Sequence, residues 1–139
     1  MVMRFCLSVI AAFLIAADPA KADVFMFQTP SGNIQCSVGL EVDFADVQCM
    51  IVERSGPAAL PRPNSCGAFW GHSFALGETG PVQMICSLQP QRVEINEQAA
   101  YGETGTFGAI TCLSQRSGFT CTNANGHGFF LSRRQQTVF

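Results

Sequence analysis

Apolar and polar residues alternate along this chain in short runs, and period two of this kind is what a half-buried strand needs. The clearest runs are 33–38, with Ile34, Cys36 and Val38 on one face, 47–52, with Val47, Cys49 and Ile51, and 82–88, with Val82, Met84, Cys86 and Leu88. Further strands are predicted over 24–27, 73–76, 92–95, 109–113, 118–122 and 128–132. Turn formers separate them: Thr29-Pro30-Ser31-Gly32-Asn33, Gly77-Glu78-Thr79-Gly80-Pro81, Arg116-Ser117-Gly118 and Asn123-Ala124-Asn125-Gly126. No amphipathic helix of three turns is present, and the best helical stretch, 96–100, amounts to one turn. The expected fold is all-β: a small antiparallel sandwich or barrel-like domain built from short hairpins.

The segment 55–65 breaks this rhythm with Pro57, Pro61 and Pro63. Proline cannot donate to a sheet ladder, so the segment reads as an extended connection rather than a strand or a domain boundary. An internal echo also appears, Gly32-Asn33-Ile34-Gln35-Cys36 against Gly108-Ala109-Ile110-Thr111-Cys112, each followed by a second cysteine one hairpin later. Two similar hairpins explain it without function, and a duplication is the alternative.

The first 22 residues depart from the pattern altogether. Arg4 followed by an apolar run from Phe5 to Ala17 has the layout of a secretory signal peptide, and that run is too short to span a bilayer. Ala20-Lys21-Ala22 places small residues where signal peptidase accommodates them, so cleavage is expected after Ala22, leaving one domain over 23–139. Met3-Arg4-Phe5 ahead of Cys6 does not suit lipid modification.

Removing that leader changes the cysteine count from seven to six: Cys36, Cys49, Cys66, Cys86, Cys112 and Cys121. An even set in an exported chain signals disulfides. Six cysteines admit fifteen pairings; the preferred set is Cys36–Cys49, Cys66–Cys86 and Cys112–Cys121, which joins strands close in sequence. Loops of this size stabilise by roughly 3 kcal/mol each in the chain-entropy model. No C-x-x-C pair occurs to bring two thiolates to one metal, and an even set leaves no spare thiol for catalysis, so no metal or cofactor is expected.

Charge narrows the partners. The expected mature chain has no lysine and six arginines (54, 62, 92, 116, 133 and 134) against nine acids, a net of −3. A nucleic-acid binder needs a basic stripe, and none is visible. After cleavage no apolar stretch is long enough for a transmembrane helix. Nucleotide-binding and nucleophile-elbow motifs are missing too.

Several pieces, in order, carry a likeness: Phe27-Gln28-Thr29-Pro30-Ser31-Gly32-Asn33-Ile34-Gln35-Cys36, then Pro61-Arg62-Pro63 before Cys66, Trp70-Gly71, Tyr101-Gly102, Cys112, Cys121 and Gly126-His127-Gly128-Phe129. The chain resembles a family of small exported bacterial proteins catalogued as a domain of unknown function, number 6636 in its series. After Cys86 the family tends toward a Gly-Asp-Thr-like turn, where this chain has Ser87-Leu88-Gln89-Pro90. The resemblance implies export and six paired cysteines, and it says nothing about chemistry.

Candidate chemistry concentrates in Cys121 to Arg133, where Asn123, Asn125, His127, Phe129 and Arg133 are the candidate binding residues. Glycines on both sides of His127 would let it present its imidazole; a hairpin turn at Asn125-Gly126, with His127 opening a strand, is the bland alternative. Of Phe129 and Phe130, adjacent on a strand, one is expected to face out. The favoured reading is a non-enzymatic exported module, periplasmic or extracellular, binding a protein or envelope component through these loops. The alternative is a small hydrolase using His127 or His72 with an acid such as Asp46, and a third is an inhibitor of cell-wall hydrolases. Paired carboxylates for glycoside cleavage, Asp43/Asp46 or Glu94/Glu97, are available but unremarkable near hairpin loops.

Overall fold

A computed structural model describes residues 23–139; the expected signal peptide and its cleavage site, with Cys6, lie outside the described residues. Every regular element among them is a strand: β1 (Asp23–Gln28), β2 (Ile34–Leu40), β3 (Ala45–Ile51), β4 (Phe69–Gly77), β5 (Gln83–Ser87), β6 (Thr104–Phe107), β7 (Ile110–Gln115), β8 (Gly118–Thr122), β9 (Gly128–Leu131) and β10 (Gln136–Val138). They form two antiparallel five-stranded meanders, β1-β2-β3-β4-β5 and β10-β9-β8-β7-β6. The sheets face each other as a sandwich and do not close into a barrel.

The period-two faces are what bring the sheets together. Val38, Val47, Cys49, Ile51, Phe74 and Leu76 of one sheet are buried with Ile110, Cys112, Phe119, Cys121, Phe129 and Leu131 of the other. Phe27 lies 5.6 Å from Phe119 and 5.9 Å from Phe107, ring centre to ring centre. Each phenylalanine taken fully out of water contributes about 3 kcal/mol toward closing the sandwich.

The three disulfides are Cys36–Cys49, Cys66–Cys86 and Cys112–Cys121. Cys36 and Cys49 are direct cross-strand partners in β2 and β3, and Cys112 and Cys121 in β7 and β8, each with Cα atoms 4.1 Å apart. Both of these bridges lie inside the sandwich; Cys66–Cys86 instead ties the connection after β3 to β5.

The internal echo reaches further than its five residues. Cys49 pairs with Phe74 in β4 as Cys121 pairs with Phe129 in β9, and Val47 pairs with Leu76 as Phe119 pairs with Leu131. The matching sequence is Gly71-His72-Ser73-Phe74-Ala75-Leu76 against Gly126-His127-Gly128-Phe129-Phe130-Leu131, and Gly71 and Gly126 share a positive φ, 82° and 78°. The two sheets thus repeat one plan, and they differ most in the link between third and fourth strands: residues 123–127 make a tight turn in the second sheet, and residues 52–68 an extended loop in the first.

Three expectations need correction, and two strands go beyond them. Residues 92–95 form no strand, because side chains satisfy their backbone: Gln35 bonds both N and O of Val93 and Gln28 donates to Ile95 O. Residues 96–100 form no helical turn; the chain runs alongside β1, with Gln28 N donating to Glu97 O and Ala99 N to Gln28 O. Leu88 does not share a buried face with Met84, since β5 ends at Ser87 and Leu88 is 87% exposed. Strands β6 and β10 were not anticipated.

Candidate functional site

The stretch from Asn123 to Arg133 is built largely from internal bonds. Asn123, only 6% exposed, donates from Nδ2 to Gly77 O (3.1 Å) and Gly80 O (2.8 Å) and accepts at Oδ1 from the backbone N–H of Asn125 and His127 (3.1 Å each). Asn125 accepts from Gly80 N at 2.8 Å. These asparagines fasten the β8–β9 turn to the β4–β5 turn. His127 precedes β9 rather than opening it, with Nδ1 3.3 Å from Phe139 O. Phe129 is buried in the core, while Phe130 on the other face is half-buried against Gly118. Arg133 pairs with Glu53 at 2.5 Å, both side chains exposed, which is worth under about 1 kcal/mol.

His72 lies elsewhere, at the start of β4, with Nδ1 2.7 Å from Ile51 O. Among the described residues neither histidine has a carboxylate hydrogen-bond partner, and Asp46 lies in the ladder between Gly39 and Gly77. Among the described residues no three of His, Cys, Asp and Glu come together as metal ligands.

His72 does line an open groove of about 660 Å³ between loop 52–68 and the first residues of β4. Its walls carry Arg54, Arg62, Phe69 and Trp70 beside His72, and no acid. The loop builds this groove because its backbone, denied a strand partner by three prolines, is bonded by side chains instead. Arg54 donates from Nη1 to Gly56 O (2.7 Å) and from Nη2 to Trp70 O (3.0 Å). Arg62 donates from Nε to Cys66 O (2.9 Å) and from Nη2 to Ala68 O. The Trp70 indole donates to Leu60 O (2.9 Å).

A buried glutamine anchors the arrangement: Gln136 accepts from Ala59 N and donates to Gly71 O, both at 2.9 Å. The loop also leans on the chain beyond β9, with Ser55 N donating to Arg133 O. Gly71 is required where it stands, because a Cβ there would meet Arg54 Cζ at 3.0 Å and its φ of 82° disfavours side chains. Between Phe69 and Ser73 the β4–β5 pairing shifts register, an irregularity of the kind that re-aims side chains beside functional sites.

A second hollow, about 250 Å³, opens between the edge strands β1 and β6 among Phe25, Phe27, Phe107 and Phe119, with Glu97 and Glu103 at its rim. The sequence offered Phe129 and Arg133 as candidates but not Arg54, Arg62 or Trp70. The available signal was a proline-rich connection bracketed by cysteines that carries two of the six arginines of residues 23–139.

Fold and groove together define a disulfide-stapled antiparallel β-sandwich of two repeated sheets, one bearing an elaborated loop whose arginines stand beside the aromatic start of β4. A family model matches residues 5–139, and the chain belongs to that family, a family of unknown function (DUF6636). Neither curated proteins nor solved structures yield a match to it.

Proposed function

We propose that this protein is an exported, non-enzymatic binding module that holds an envelope component or another exported protein in the groove beneath loop 52–68. The observation that carries the reading is the contrast between the two repeats. The same frame ends in a tight turn at 123–127 in one sheet; in the other it carries a proline-rich loop, locked by Cys66–Cys86, whose arginines face a hollow together with Trp70 of β4. A rigid scaffold presenting one elaborated loop is how binding sites are commonly placed. Three disulfides fit an oxidising, extracytoplasmic compartment. The earlier candidate stretch contributes its end, since Arg133 O supports the loop.

Binding is favoured over hydrolysis because His72, the one imidazole in the groove, has a backbone carbonyl and no carboxylate to orient it. The test is capture from periplasm or culture medium with the mature chain as bait, alongside Trp70→Leu, Arg62→Gln and Phe25→Ala. A specific component should be retained by wild type and Phe25→Ala and lost with both groove variants. Retention by all four overturns the reading.

A further inference from the structure

Two of the six arginines of residues 23–139 converge on one groove of a protein whose charges otherwise sum to the acidic side, and no carboxylate lines it. Each guanidinium is held by two backbone carbonyls, so its direction is fixed before any ligand arrives. A guanidinium carries five N–H donors, which leaves donors on both groups unspent. Arg54 Nε is buried beyond a ligand's reach, so the donors this side chain keeps for one are the second N–H of each Nη. Unspent, oriented guanidinium donors are matched by the paired oxygens of a planar anion.

Beside them the Trp70 indole is pinned through its N–H, and Phe69, 43% exposed, stands edge-on to His72 with ring centres 6.1 Å apart. Flat apolar surface next to fixed cations suits a ring that bears a charge. A peptide adding here as an extra strand would find the carbonyls already taken: β3 pairs with β4 only from Ser73 onward, and ahead of it Trp70 O accepts from Arg54 and Gly71 O from Gln136. Recognition therefore falls to side chains, over a hollow of a size that holds a small ring-bearing ligand.

We infer that the groove binds acidic sugar units of a polysaccharide, the carboxylate held between Arg54 and Arg62 and the sugar ring lying against Trp70. This rests on the groove being the recognition site and names its ligand class.

Trp70 is the only tryptophan of the chain, so fluorescence of the mature protein reads this site alone. Titration with oligogalacturonate should give a saturable change, at least about tenfold tighter than with a neutral galactose oligomer and weakened several-fold by raising salt from about 50 to about 500 mM. Arg62→Gln should weaken binding by about tenfold, with the melting temperature showing that the fold persists. Equal affinity for the neutral oligomer, indifference to salt, or no saturable change overturns the inference. So does saturation by inorganic phosphate at the same concentrations, which would mark a simple anion site. If any of these occurs while Trp70→Leu and Arg62→Gln still abolish capture of the envelope component, only the ligand class falls; if capture persists in both, the groove itself is wrong.

Discussion

Phe74 and Phe129 occupy the same position in the two repeated sheets and meet each other across the sandwich, ring centres 5.9 Å apart at 46°, both fully buried. Each also backs onto a core cystine, since Phe74 pairs with Cys49 and Phe129 with Cys121. Replacing either ring with Ala should cost about 3–5 kcal/mol of unfolding free energy in denaturant titrations. Because the rings touch, the double variant should cost less than the sum of the singles, with a coupling of about 1 kcal/mol. Strict additivity would mean that the two sheets do not pack through this pair.

Asn123 tests whether the β8–β9 turn is structural or a binding surface. Asn123→Ala removes four hydrogen bonds and leaves partly buried backbone groups unpaired, so a loss of about 2–3 kcal/mol is expected by thermal or chemical unfolding. Asn125→Ala, in an exposed position with one bond to Gly80 N, should cost no more than about 1 kcal/mol. Similar small effects for both would free Asn123 for a role in recognition.

The disulfides have separable roles. Removing Cys36–Cys49, which closes a separation of 13 residues inside the core, should destabilise the whole domain by about 3 kcal/mol in a single cooperative transition. Removing Cys66–Cys86 should loosen loop 52–68 preferentially, seen as faster proteolysis there, while β7–β9 stay protected. Peptide mapping without reductant should return the three local pairs, and any other pairing contradicts the register of β2–β3 and β7–β8.

Gly71 and Gly126 form a matched comparison, with nearly equal positive φ in equivalent places. An added Cβ meets nothing within 4 Å at Gly126 but abuts Arg54 and Ala58 at Gly71. Gly126→Ala should therefore cost only the backbone term, about 1 kcal/mol. Gly71→Ala should cost more and displace Arg54, lowering groove affinity as well as stability. Equal losses at the two sites would mean that Arg54 is not seated over the β4 backbone.

The sequence disclosed those features that depend on near neighbours. Alternation at Ile34, Cys36 and Val38 or Val47, Cys49 and Ile51 reports burial on one face, so the β2–β3 hairpin could be read directly, while its cystine was a preference among fifteen pairings that the strand register then decides. Strands β6 and β10 were hidden because Thr104-Gly105-Thr106-Phe107 is short and glycine-bearing, and β10 has only three residues. Val93 and Ile95 alternate like a strand, yet their backbone partners are Gln35 and Gln28, distant in sequence. The groove was illegible for the same reason: Arg54, Trp70 and Gln136 are brought together only by the fold. The repeat was visible all along in Gly-His-x-Phe-x-Leu, but its two copies gain meaning only when strand register aligns them.

The central claim is that recognition occurs in the groove of loop 52–68 and not at the 123–134 stretch or the phenylalanine-lined slot. Hydrogen–deuterium exchange of the mature protein, free and saturated with the component it captures, tests this most directly. Protection confined to residues 52–72 is expected, with 23–27 and 123–134 unchanged; protection at either of those segments without change in 52–72 would contradict it.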